Sequence, residues 1–227
     1  MLSVKGIRKV YKNGRGLNML SFDAERGDIV CLIGPNGSGK STALNIIAGI
    51  LKCDEGVCLL RDRDTSDISA KSNIGFLEET PFFYDHISVT AFLNFIWGVK
   101  YSGESNDDVI RLLRSFELTQ YKDAKMMDLS LGYKKRVGIV AAMMHSPELI
   151  ILDEPINGLD TRSVIKLKDE ILLARKQDCI VIVSSHILDF LKDIGTRFIF
   201  IKDGNMIDDR KIDSSVNLDE IYRDIYM

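Results

Sequence analysis

The stretch DIVCLIGPNGSGKSTALNIIAGIL, residues 28–51, changes character twice in a short span. Its first part, DIVCLIG, is a continuous apolar run, as expected of a strand covered on both faces. GPNGSGKST follows at Gly34–Thr42, and then STALNIIAGIL has helical spacing. Strand, GxxxxGK[ST] and helix in that order form a phosphate cradle. Gly34, Gly37 and Gly39 permit backbone angles that aim successive N–H groups at phosphate oxygens. The helix N-terminus adds partial positive charge. Lys40 is expected to reach the β- and γ-phosphates, and Ser41 to place its hydroxyl on Mg²⁺.

A second apolar strand, LIILDEP, ends in Asp153 and Glu154. Adjacent carboxylates after a buried strand are costly unless compensated. Beside a phosphate loop they suit two tasks: Asp153 holds Mg²⁺ through water, and Glu154 polarises an attacking water as general base. Hydrolysis of a nucleoside triphosphate is the expected reaction. CIVIVSSH presents His186 one strand further on. A lone histidine is as readily structural as functional, but this placement points to a γ-phosphate sensor.

The rest of the chain fits around these strands. LSVKGIRKVY and LNMLSFDAE alternate as half-buried strands, with NGRG between them as a hairpin turn. SNIGFLEE is a short strand ending in acidic residues, and RFIFIKDG a further buried one. Between them SVTAFLNFIWGVKY and SNDDVIRLLRSFEL are amphipathic, with Ser88 and Ser105 placed as N-caps. Gly132–Met144 reads as another helix and NLDEIYRDIYM as a terminal docking helix. The expected class is α/β: a mostly parallel core sheet, an antiparallel N-terminal β part and an inserted helical subdomain.

Composition narrows the functions. The 227 residues suffice for a large core, with 45% hydrophobic and 28% charged. A formal charge of −3 provides no bulk attraction for nucleic acid or anionic lipid. The four cysteines, Cys31, Cys53, Cys58 and Cys179, lack a paired metal spacing and suit a reducing compartment. The N-terminus does not read as a signal peptide, and no apolar run is long enough to span a bilayer. A cytoplasmic protein is expected.

These motifs resemble, in content and order, the nucleotide-binding subunit of an ATP-binding cassette (ABC) transporter. The resemblance covers essentially the whole chain. It implies a single domain over 1–227 with a P-loop NTPase core, 1–80 and 147–227 being RecA-like and 81–146 a helical subdomain. It implies ATP and Mg²⁺ as cofactors, with ATP held by Tyr11 stacking on adenine and by Gly34, Pro35, Asn36, Gly37, Ser38, Gly39, Lys40, Ser41 and Thr42. Lys40, Glu154 and His186 are the expected catalytic residues; Ser41, Glu79 and Asp153 are the expected metal ligands. LSLGY at Leu129–Tyr133 is similar to the family's signature, with Ser130 and Gly132 kept, and NGLD at Asn157–Asp160 matches a dimer-contact loop.

In such proteins two cassettes face head to tail, so Ser130 and the amides after it would contact ATP cradled by a partner chain. Lys134, Lys135 and Arg136 are expected to form a mostly solvated face. Three positions depart from the family's usual residues: Leu131 for Gly, Tyr133 for Gln, and Glu79 for the Gln after the IGFL strand, Glu78 preceding it. Glu at that place occurs in export-type branches. Phe82, Phe83, Tyr84 and Trp97 fall where a permease's coupling helix would dock, although residue by residue ordinary core packing of an insert helix is the stronger expectation.

The expected protein is an ATPase subunit, peripheral on the cytoplasmic face of the membrane. It would dimerise with itself or a paralogue and drive a separate transmembrane permease, as an exporter. No nucleic acid partner is expected. A soluble ABC ATPase acting on ribosomes or DNA, or a weakly hydrolysing dimerisation module, are the alternatives. The absence of a coiled coil and the single cassette argue against the chromosome-maintenance and the fused, ribosome-acting relatives.

Overall fold

The structure is a computed structural model that describes residues 1–100, 107–211 and 217–227. Strands β1 (Leu2–Val10) and β2 (Gly16–Ala24) form the expected hairpin, pairing from Leu2 opposite Ala24 to Val10 opposite Gly16 with a register shift on either side of Ile7. Then follow β3 (Ile29–Ile33), α1 (Lys40–Ile47), β4 (Glu55–Leu60), β5 (Arg63–Asp64), α2 (Ile68–Lys71) and β6 (Ile74–Leu77). Helices α3 (Val89–Lys100), α4 (Asp107–Ser115) and α5 (Leu131–Met143) come next. The chain continues through β7 (Leu149–Asp153), α6 (Thr161–Lys176), β8 (Ile180–Ser184), α7 (Leu188–Ile194), β9 (Arg197–Lys202), β10 (Asn205–Arg210) and α8 (Leu218–Tyr226).

All ten strands join one sheet, in the order β5-β4-β1-β2-β10-β9-β3-β8-β7-β6. The half from β9 to β6 is parallel; β1, β2, β4 and β5 are antiparallel. Among the described residues β10, antiparallel to β9 and bridged in parallel to β2 at Asn205 and Met19, joins the two halves. The fold is therefore mixed α/β, as expected. β4, β5 and β10 lie outside the expected strands. Β10 carries the polar run NMIDDR, and β4 begins at Glu55 and Gly56, neither of which looks like a covered strand.

The continuous apolar run of β3 has a direct cause. Ile29, Cys31 and Ile33 enter one core, and Val30 and Leu32 enter another on the opposite face. The first core gathers α3 to α7; the second gathers α1 and the antiparallel strands. Cys31 and Cys179 are buried, and all four cysteines are free thiols. Helices α3, α4 and α5 are inserted between β6 and β7, which nevertheless pair directly in parallel.

Ser88 accepts the Ala91 amide at 3.1 Å, as an N-cap should; Ser105 lies outside the described residues. α5 begins at Leu131, one residue before its expected start, because Ser130 already has extended geometry and caps it. Helix α8 docks as expected: the Tyr226 hydroxyl reaches the carbonyls of Ile33 (2.9 Å) and Ile201 (3.0 Å). Among the described residues no helix is long and apolar enough to cross a membrane.

Candidate functional site

The end of β3 leads directly into the phosphate loop. Gly39, at the start of α1, has φ +109°, and a Cβ there would meet the Gly16 carbonyl oxygen at 2.8 Å, so glycine is required twice over. Lys40 opens α1 and is buried. Its ammonium donates to the carbonyls of Gly34 (2.8 Å) and Pro35 (3.2 Å), holding the cation within the loop. Burial pulls the Lys40 pKa below its ordinary value, against the opposing fields of Glu154, Asp153 and Glu79.

The loop borders a cavity of about 420 Å³ lined by Tyr11, Asn36, Gly37, Gly39, Lys40, Ser41, Thr42, Glu79 and Glu154, with Asn13, Arg15 and Gly16. Tyr11 is 43% exposed and borders that space. Asn13 and Arg15, which the sequence marks only as turn residues, also border it. Arg15 adds a guanidinium at the mouth of a phosphate site, where its fork suits an anion. Their position on a turn gave no signal of this.

Asp153 ends β7 opposite Ser184 of β8. The Ser184 hydroxyl donates to Asp153 Oδ1, and its oxygen accepts the Glu154 amide at 2.9 Å. One serine thus orients both carboxylates, a role that sequence reasoning missed although Ser184 lies in the quoted VSSH. Glu154 has φ +43°, an uncommon angle for a non-glycine residue and one that turns its side chain off the strand line. Its Oε2 lies 2.9 Å from His186 Nδ1. Its Oε1 is buried and, among the described residues, has no protein partner. A carboxylate oxygen in that condition is suited to accept from a water. His186 is exposed, its side chain to 52%.

The donor set suits magnesium: the Ser41 hydroxyl and the carboxylates of Asp153 and Glu79 are hard oxygens beside a phosphate loop. An ion of this kind takes few protein ligands and completes its shell with phosphate oxygens and water.

Ser130 and Gly132 lie elsewhere. Neither is among the cavity's described lining residues. Ser130 Oγ accepts the Tyr133 amide at 3.4 Å, and Leu131 beside it is 71% exposed. A Cβ on Gly132 would meet the Gly158 carbonyl oxygen at 2.9 Å, so this helix start and the Asn157–Asp160 loop pack together within one chain.

The basic run that follows corrects an expectation. Lys134 is half-buried, 3.6 Å from Asp85, but Lys135 and Arg136 are buried, 3% and 7% exposed. Lys135 donates to the carbonyls of Glu78 and Glu79. Arg136 pairs with Asp160, which itself caps α6 by accepting the Ser163 amide at 2.8 Å. Arg136 also stacks 4.6 Å from the Tyr133 ring, whose hydroxyl lies 3.2 Å from that of Tyr121. The helix turns these side chains under the site, where carbonyls and a carboxylate replace water.

Phe82 and Tyr84 are 78% and 56% exposed and meet edge to face. Phe83 instead packs on Phe92, and Trp97 is half-buried against the first core. Pro81, Phe82, Phe83, Ile96 and Gly138 help line a further cavity of about 240 Å³.

The profile of the family described as "ABC transporter" matches residues 17–157. The chain is similar to the SkfA peptide export ATP-binding protein SkfE of Bacillus subtilis (strain 168), 31% identical over 211 residues, 92% of this chain and 88% of the relative. It is equally similar to the lantibiotic transport ATP-binding protein SrtF of Streptococcus pyogenes, 31% identical over 227 residues, 98% and 96% covered. It superposes on the solved ATP-binding subunit of an ABC transporter with TM-score 0.91, 26% identity and full coverage of both chains. A dimeric ATP-binding cassette in a post-hydrolysis state, bound to ADP and Pi, superposes with TM-score 0.86, 26% identity and 94% and 100% coverage.

Proposed function

Because the chain belongs to the ABC transporter family and is its ATP-binding, ATP-hydrolysing subunit, we propose that it closes with a second cassette around two ATP–Mg²⁺ and drives a separate permease as an exporter. One observation carries the dimer: Ser130 and Leu131 at the start of α5 are exposed, Leu131 to 71%, which leaves this helix start open to a partner. A helix N-terminus offers amides and partial positive charge to an anion, and the partner's γ-phosphate supplies one.

In this reading Tyr11 stacks on adenine and residues 34–42 cradle the phosphates. Lys40 moves from its carbonyl partners to the β- and γ-phosphates. Magnesium supplies charge neutralisation between the phosphates when bound, and Ser41, Asp153 and Glu79 would hold it. Glu154 accepts the proton of the attacking water at Oε1, and His186 contacts the γ-phosphate. Residues 1–80 with 147–227 act as the core body and 81–146 as the helical one.

Phe82 and Tyr84 expose an aromatic edge on the insert, which supports docking of an apolar permease helix there. Binding closes the dimer, hydrolysis opens it, and this face passes the motion on. Attachment to a permease would hold the chain at the cytoplasmic face of the membrane. The name of one relative, a peptide export ATP-binding protein, supports export over import.

The test is affinity purification from membranes of cells expressing the tagged chain. A co-purifying multi-span protein lost on Phe82→Ser with Tyr84→Ser supports the reading. Recovery with ribosomes or DNA and no membrane protein overturns it.

A further inference from the structure

Lys135 lies beneath the candidate site rather than in it. The residue is 3% exposed, and its ammonium donates to two consecutive main-chain carbonyls, Glu79 at 2.6 Å and Glu78 at 3.3 Å. Those residues follow β6 directly and begin the segment that leads to Pro81 and Phe83. Lys135 is held on the second turn of α5, the helix capped by Ser130. It therefore ties the Glu79 backbone to the same end of the helix that Ser130 caps.

Its electrostatic surroundings point the same way. Burial lowers its pKa, and Asp153, Glu79 and Glu154 oppose that shift. The same three carboxylates oppose the shift at Lys40. Two buried ammoniums thus share one carboxylate cluster, one within the phosphate loop and one behind Glu79. Lys40 has phosphates to meet. Among the described residues Lys135 donates to main-chain carbonyls, and the fields of the three carboxylates favour its charge. An ammonium out of water needs such compensation, since hydrogen bonds alone leave its charge unanswered.

We propose that Lys135 is a positioning residue for Glu79: it pins the Glu78–Glu79 main chain and balances the charge that Glu79 adds beside Asp153 and Glu154. The role acts through Glu79 and needs no contact with substrate. It rests on the reading that Glu79 borders the bound nucleotide and its metal.

The test is a double-mutant cycle with Lys135→Gln and Glu79→Gln, each checked for an unchanged melting profile. In calorimetry with metal-free ATP in EDTA, Lys135→Gln should weaken affinity about tenfold and Glu79→Gln should tighten it, the double variant returning near the parent. In turnover, Lys135→Gln should lower kcat about tenfold with a smaller change in KM, and by at most about twofold once position 79 is Gln. An equal kcat loss in both backgrounds would reveal a packing role and overturn the proposal.

Should Lys135→Gln not fold, the signal of the Lys135 ammonium in lysine-labelled Glu79→Gln protein decides: a shift supports the pairing and an unmoved signal rejects it. Failure of the site reading looks different, since Lys40→Ala would then leave ATP affinity intact.

Discussion

Ser184 stands between two neighbouring acids: its hydroxyl donates to Asp153, and its oxygen accepts the amide of Glu154. The parallel pairing of β7 with β8 sets Asp153 opposite Ser184, so this relationship is a product of strand register.

Ser184→Ala should therefore cost about 1–3 kcal/mol of stability, since it removes a buried donor from a carboxylate 2% exposed and an acceptor from an amide. It should lower kcat more than it raises KM for ATP, because both displaced groups belong to the hydrolytic end of the site. Urea denaturation with steady-state kinetics checks both parts.

Arg136 and Lys134 should separate in stability although both follow the same capped serine. Arg136→Ala removes a side chain, 9% exposed, that pairs with Asp160 and stacks on Tyr133. The loss should reach about 1–3 kcal/mol, mostly from packing and an unpaired loop, because Asp160 itself is half open to water. Lys134→Ala should change stability by no more than about 0.5 kcal/mol. Thermal melts of the two variants make the comparison.

His145 makes folding pH-dependent. Burial, with the field of Lys100, lowers its pKa from 6.5 to about 4. The unfolded chain binds a proton there that the native chain refuses, so stability rises with pH through this window and falls as pH drops from 6.5 towards 4. The slope from this residue approaches about 1.4 kcal/mol per pH unit. His145→Gln should flatten that part of the profile, measured as urea midpoints between pH 4 and 7.

How much of this was legible beforehand depended on whether backbone or side-chain context carried the information. The phosphate loop, the hairpin and the buried strands could be read because glycine spacing, alternation and apolar runs each have a local cause. β10 could not, since Asp208 and Asp209 make a polar strand that exists only because it joins two halves of a sheet. Lys135 and Arg136 looked solvated because charge near a helix start usually is. The carbonyls of Glu78 and Glu79 and the Asp160 carboxylate that receive them come from distant segments. Ser184 was hidden for a similar reason: a serine ending an apolar strand gains a partner only through pairing with β7.

The central claim is that ATP is enclosed between two chains, with Ser130 of one closing over the loop around Lys40 of the other. Glu154→Gln should reduce turnover by about 10²-fold or more and so hold ATP in place. The direct measurement is sedimentation of Glu154→Gln with saturating ATP and Mg²⁺, alone and combined with Ser130→Arg. The expected result is an ATP-dependent dimer for the first and a monomer that still binds ATP for the second. A monomer in the first case, or a dimer indifferent to Ser130→Arg, would contradict it.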